Sequence, residues 1–439
     1  MKRIVLSLIL FVSLIGASFA ENLFAHRFFE IKLDLPVAVS NNLVDIKSIM
    51  QEKVVIDLKE IADNMSKDGA SIRSDAAPAL SINLDIPRGL ILGLNVGADA
   101  DVSVGINKTI FEFLGNGNAT LGGDFTVKMN NTYADVFAHA SLTGGWNTKK
   151  GRVAITGTAF SAIAHVDASD TYVSVYTKEE KNTFGAEANV DARLYAVADV
   201  SGENMNDIDM LINQATSNMG FDIGADLTSE FSRYLTLGVK ANIPLVPSKL
   251  GSVASVQYNM KKEICLDDIL GKEGESTEGE SSAEGTSEST SEASTENSSE
   301  ASEESSLPSM DTLQFQTLTT PYEIHRPLKA GVSANFHPFG TLLSTNGYLG
   351  VGVRHPFAKD NSTDFYVDYS VGGRLSLWNI ISVEVSHSRM DEIYKNELAL
   401  ALNIRLVELD AGVSFQSADF AKSFQGAGVG AYVTVAIGF

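Results

Sequence analysis

Between Leu90 and Ile106 the chain reads LILGLNVGADADVSVGI, and every even-numbered residue is apolar. The odd positions carry Gly93, Asn95, Gly97, Asp99, Asp101, Ser103 and Gly105, with Ile91 the one exception. Successive side chains leave a strand on opposite faces, so a period of two predicts a single β-strand with one greasy side. Strands of soluble domains mostly run to about 5–6 residues, whereas about 9–11 tilted residues carry a strand across a bilayer. A run this long with so clean an apolar face needs something wide and apolar to cover it.

The alternation recurs. Phe29, Ile31, Leu33, Leu35, Val37 and Val39 face away from Glu30, Lys32 and Asp34, with Pro36 interrupting the ladder. Residues 80–86, 328–336, 397–404 and 409–415 repeat the pattern, and it closes the chain at 430–439. Short connections at 87–89, 337–340, 377–379 and 406–408 alternate with longer polar ones, among them HPFAKDNST, SRMDEIYKN and SADFAKSFQG. That asymmetry predicts an antiparallel meander with tight turns at one end and longer loops at the other.

Two architectures share this pattern: a soluble sandwich, whose apolar face meets a second sheet, and a membrane barrel, whose apolar face meets lipid. Strand length, a Gly- and Ser-rich polar face, and a terminal strand ending in Phe439 favour the barrel. So does the lack of any apolar run of 18 residues after residue 20. A closed sheet also leaves no backbone edge bare in lipid. The expected fold is all-β, a single antiparallel up-and-down transmembrane barrel of 14–18 strands with short helical segments in loops.

Residues 1–20 have a basic start, an apolar core and a small-residue end, the pattern of a secretory signal peptide. The mature barrel is expected over 21–439. Within it, 41–78 is read as a loop or lumen segment with helix and 201–218 as a helical loop, either of them a candidate inward-folded constriction. Residues 272–311 are read as a disordered acidic Ser/Glu-rich loop, expected on the extracellular side. The net charge is −22, of which 11 glutamates at 273–304 supply half. Spaced largely every four residues among poor helix formers, they repel each other and have little to bury. Acidity therefore says little about partners beyond excluding nucleic acid.

The ending GAYVTVAIGF, with Val433, Val435, Ile437 and Phe439 on one face, resembles the C-terminal assembly signal of bacterial outer-membrane β-barrel proteins. More loosely, the chain looks like uncharacterised outer-membrane proteins of spirochaetes and like fatty-acid-channel-type barrels. It has no room for the N-terminal plug of the latter, so fatty-acid transport is not carried over. The resemblance implies an outer-membrane location with both termini periplasmic. It also implies outer-membrane lipid and the assembly machinery as partners.

Polar positions opposite the apolar face are expected to point into the lumen: Glu30, Lys32, Asp34, Asn95, Asp99, Asp101, Lys329, Arg354, Asp368, Arg374, Glu384, Asn403, Arg405 and Asp410. Arg or Lys turned towards lipid would cost up to about 2–4 kcal/mol at mid-membrane. Both signs occur, so ion selectivity is not readable, and the same charges could brace the interior as ion pairs. No zinc-protease spacing, nucleophile elbow or phosphate-binding glycine loop is present. The expected protein is not an enzyme and has no cofactor, catalytic group or metal site. The function read from the sequence is a channel or transporter for small solutes. The alternatives are a non-conducting surface barrel acting as adhesin or structural protein, and a soluble extracytoplasmic β-protein.

Overall fold

The computed structural model describes residues 27–43, 58–65, 69–116, 124–129, 132–178, 183–198, 208–265, 314–357, 364–404 and 406–439. The signal segment 1–20 and the acidic tract 272–311 lie outside these. The first half contains β1 (Phe29–Asn41), β2 (Ala70–Ala76), β3 (Ala79–Asp85), β4 (Leu90–Ile106), β5 (Phe125–Lys128) and β6 (Tyr133–Thr148). There follow β7 (Gly151–Asp167), β8 (Tyr172–Lys178), β9 (Thr183–Ala196), β10 (Gly220–Ser232), β11 (Leu235–Val246) and β12 (Ser248–Cys265). Beyond the acidic tract come β13 (Gln316–Ile324), β14 (Leu328–Phe336), β15 (Leu343–Arg354) and β16 (Asp364–Leu377). The last four are β17 (Ile381–Met390), β18 (Ile393–Asn403), β19 (Val407–Ser417) and β20 (Val429–Gly438). Among the described residues the helices are short: α1 (Leu58–Asn64), α2 (Lys108–Asn116), α3 (Ile208–Ser217) and α4 (Phe420–Ser423).

The sheet closes as an antiparallel barrel of 14 strands. Its wall runs β1, β2 with β3, β4, β6, β7, β10, β11, then β14 to β20 in order, and β20 pairs back to β1. β2 and β3 share one wall position, broken at Ala77 and Pro78, where the proline cannot donate to the ladder. Residues 70–76 are therefore wall, a correction to their place in the 41–78 loop segment. Their sequence, ASIRSDA, has a single large apolar residue and so shows almost no alternation.

The seam brings the two described ends together: Phe28 and Phe29 donate their backbone N–H groups to Phe439 O at 2.7 and 3.0 Å. The same end carries the tight turns at 86–89, 149–150, 233–234, 337–342 and 378–380, and the reversal from β18 to β19. At the opposite, distal end β7 outruns β10 and its last residues, Ala164–Asp167, pair with β9 instead. β9 continues to β12 and β13, and β8 and β5 follow on its other edge. The acidic tract separates β12 from β13, so its anchors belong to this distal sheet. β13 ends at Ile324 and β14 begins at Leu328, and the prolines Pro321 and Pro327 lie near the break between them. The expected long loop SRMDEIYKN is a two-residue turn, Asp391 and Glu392, between β17 and β18.

The two faces of the wall differ sharply. Leu400, Val413 and Ile437 are 57%, 62% and 57% exposed, while Ala399, Asp410 and Ala436 beside them are 3%, 8% and 3% exposed. Ile31, Leu33, Leu35, Ile82, Leu94, Leu142, Ile155, Val239, Val332, Leu349 and Val371 continue the exposed apolar side around the perimeter. The aromatic residues Phe439, Trp146 and Trp378 lie towards the tight-turn end, and Phe365, Phe415, Phe420 and Phe424 towards the other. A closed barrel presenting aliphatic side chains outward between aromatic fringes is built for lipid. Because the sheet closes on itself through β20 and β1, the wall is a barrel and not a pair of stacked sheets. Among the described residues no helix is long and apolar enough to cross a membrane.

Candidate functional site

The face opposite the lipid wall encloses the candidate site, and contacts between strands far apart on the perimeter establish which side chains meet there. Near the tight-turn end, Arg27 donates to Glu30 and to Glu408 at 3.0 Å each, and to Asn403 at 3.3 Å. Lys32 pairs with Asp34 at 3.1 Å, and Thr434 donates to Asp34 at 2.7 Å. Higher up, Arg374 lies 3.9 Å from Glu384, and the Tyr432 hydroxyl donates to Asp410 at 3.1 Å. Asn95 donates to Ser81 at 2.8 Å, and its amide oxygen contacts His139 Nε2 at 3.0 Å. Arg405 lies outside the described residues.

Towards the distal end the interior is tied across. The turn Asp391–Glu392 has φ of 47° and 73°, a left-handed pair suited to a two-residue hairpin. It brings the Asp391 carboxylate 2.9 Å from Lys329 on β14, and its backbone carbonyl accepts from Arg73 on β2. Asp368 accepts the Asp391 backbone N–H at 2.8 Å. Burial alone would raise the Asp391 carboxyl, but Lys329 and Arg73 hold it well below the usual carboxylate range. Arg73 also clamps Asp101, which accepts the Tyr133 hydroxyl at 3.1 Å. Arg326, in the short link from β13 to β14, reaches Asp99 on β4 at 2.6 Å and Asp222 on β10 at 3.3 Å. Arg354 pairs with Asp364 at 2.8 Å and with Glu392 at 3.6 Å.

Beside the Asp391 turn lies a cavity of about 250 Å³, bordered by Arg73, Asp101, Lys329, Glu384, Asp391 and Gln416 among others. Interior tyrosines lie flat against glycines of the wall: Tyr348 over Gly331 and Gly350, Tyr366 over Gly352 and Tyr432 over Gly412. Each glycine removes the Cβ that would push a ring into the lumen. Adding a methyl at Gly352 drives it into the Tyr366 ring, itself 2% exposed. Gly352→Ala is therefore expected to destabilise the barrel by about 1–3 kcal/mol, the cost of overpacking. Denaturant titration of the refolded protein in lipid vesicles measures it.

Part of the interior beside β6 and β7 is apolar. Phe137, Phe160, Ala162, Val197, Ala198, Leu250 and Ile324 form one buried cluster, and Met210, Leu211 and Ala215 of α3 pack on it. The helical part of the 201–218 segment thus packs on a hydrophobic cluster beneath the distal sheet. Beside that cluster His165, Asp135 and His355 meet, with Tyr322 and Tyr195 stacked over them.

Sequence reading missed Arg27, Arg73, Asp135, His165, Arg326, His355 and Asp391. Arg73 falls in the segment that reads as a loop, and Asp391 in a connection that reads as longer and polar. Asp135 and His165 fall in an Ala-, Thr- and Gly-rich stretch where the alternation is faint, although YADVFAHASL does set Asp135, Phe137 and His139 on one face.

The chain matches no protein-family model and none of the curated proteins. Solved structures with some likeness include the Pseudomonas putida toluene transporter TodX, at 9% identity and a TM-score of 0.44, covering 97% of this chain and 95% of that one. A Pseudomonas aeruginosa FadL homologue gives 10% identity and 0.41, covering 94% and 90%. The translocator domain of the autotransporter NalP from Neisseria meningitidis gives 7% and 0.35, covering 94% and 88%. At these scores the likenesses carry no argument, and the barrel rests on its own strand pairing.

Proposed function

We propose that this chain is an outer-membrane channel for small polar solutes, held in a closed state by ion pairs across its lumen. The observation that supports it is the combination of a lipid-facing closed wall with a charge-lined cavity bordered by the polar ties at Asp391. A barrel meant only as a platform has no need to leave such space; one meant to conduct needs polar lining and a reversible closure. Lining groups of both signs favour polar or zwitterionic cargo over a single ion. On this reading the tight turns, and the seam where Phe28 meets Phe439, face the periplasm, and Val433, Val435, Ile437 and Phe439 on β20 present the assembly signal.

The test is planar-bilayer recording together with liposome swelling, using protein refolded from the full chain. Brief stepwise openings and uptake of small sugars or amino acids are expected. A folded protein that gives neither overturns the channel.

A further inference from the structure

Three ligand-type side chains converge at one point inside the distal half of the barrel. Asp135 comes from β6, His165 from β7, and His355 from the residue that follows β15. One Asp135 oxygen lies 2.6 Å from His165 Nδ1, and the other lies 3.0 Å from His355 Nε2. All three candidate ligand atoms fall within 4.8 Å of one another. Asp135 and His165 are buried, 7% and 4% exposed.

Two further observations set this cluster apart from an ordinary buried hydrogen bond. The first is its backbone. His355 adopts a φ of 46° and Phe357 a φ of 69°, conformations that L side chains avoid. Without them the imidazole would follow the strand alternation away from Asp135. Strain of this kind persists where surrounding structure enforces it, and it gathers at functional sites. The second is the outer layer. His165 Nε2 lies 3.2 Å from the Tyr322 hydroxyl, and the Tyr322 and Tyr195 rings stack on the imidazole at 5.0 and 6.0 Å. A metal-bound histidine commonly has its second nitrogen hydrogen-bonded in this way, which fixes the ring and leaves the other nitrogen for the ion.

We propose that Asp135, His165 and His355 form a binding site for a divalent transition-metal ion, Zn²⁺ or a chemically similar borderline ion. Two imidazoles and one carboxylate suit that class, and ligand bonds of about 2.0–2.2 Å require only that the side chains part slightly around the ion. Asp135 and His165 already face each other across the β6–β7 ladder, so binding would tie that ladder to the loop after β15. The ion would thus fasten the loop after β15 to the β6–β7 side of the wall. This assignment does not depend on the channel.

The experiment uses the full chain, refolded in detergent and stripped with chelator, then titrated with Co²⁺ and Zn²⁺. Ligand-field absorption reports Co²⁺, and calorimetry reports Zn²⁺. Wild-type protein is expected to bind one equivalent of either ion and to unfold at a higher temperature with Zn²⁺ present. Asp135→Asn and His355→Gln should each abolish both effects. His387→Gln, on the outer wall, should retain them. Heat-modifiable gel mobility checks that each variant is folded. Folded wild type that takes up no ion overturns the site, and so does uptake that survives in folded Asp135→Asn and His355→Gln.

Discussion

Asp391→Ala is expected to raise single-channel conductance several-fold over wild type. The Asp391 side chain is the anion that Lys329 closes upon, and the same turn offers its backbone carbonyl to Arg73 from the other side of the lumen. Without the carboxylate, two cations on opposite walls face each other with one fewer counter-charge between them, and the tie that spans the cavity is lost. The Lys329–Asp391 pair is only partly buried, so its loss is expected to cost less than the about 3–5 kcal/mol of a fully buried pair, and folded protein is confirmed before recording. Asp391→Asn separates the two effects: it keeps the shape of the turn and removes only the charge. If both folded variants conduct like wild type, Asp391 is not the closure. Because the folded carboxyl sits below its unfolded value, the tie is intact at neutral pH and is lost only as acid protonates the folded group. Mild acidification to about pH 5, above the ordinary carboxylate range, should therefore leave wild-type conductance unchanged.

How far the molecule is legible in its sequence depends on which physical constraint is in play. The lipid wall is written locally, because every second residue must be apolar; β4 occupies Leu90–Ile106, the run in which that rule is cleanest. The closures are not local. Arg326 and Asp99 are separated by 227 positions, and Arg73 and Asp391 by 318. Nothing in either neighbourhood names the other. A charge on an inner face is thus readable as a residue type, while its partner is set by barrel circumference and strand stagger. Turn chemistry misleads in its own way. The left-handed pair Asp391–Glu392 lacks the glycine or asparagine that usually marks such hairpins, so the sequence gives a loop where the chain makes a two-residue reversal. The α3 segment is the converse case: Leu211 and Ala215 have helical spacing in any context, but only the fold shows that they pack on Phe160 and Leu250.

Leu94→Arg is the second large effect, and it bears on the lipid wall. Leu94 is 40% exposed and pairs across the sheet with Ile82 and Leu142, both exposed and aliphatic, with Trp146 four residues from Leu142 towards the tight-turn end. That places it inside the apolar band, away from the aromatic fringe. An arginine in such a position costs about 2–4 kcal/mol, falling to about 0–1 near the interface. The same substitution at Phe231, 75% exposed beside the turn at 233–234, should therefore cost little. Both are measured as denaturant midpoints in vesicles, where hydrocarbon is present. Were Leu94→Arg as stable as Phe231→Arg in the bilayer, the aliphatic face would have to be covered by something other than acyl chains, and a wall with its charges turned inward would lose its reason.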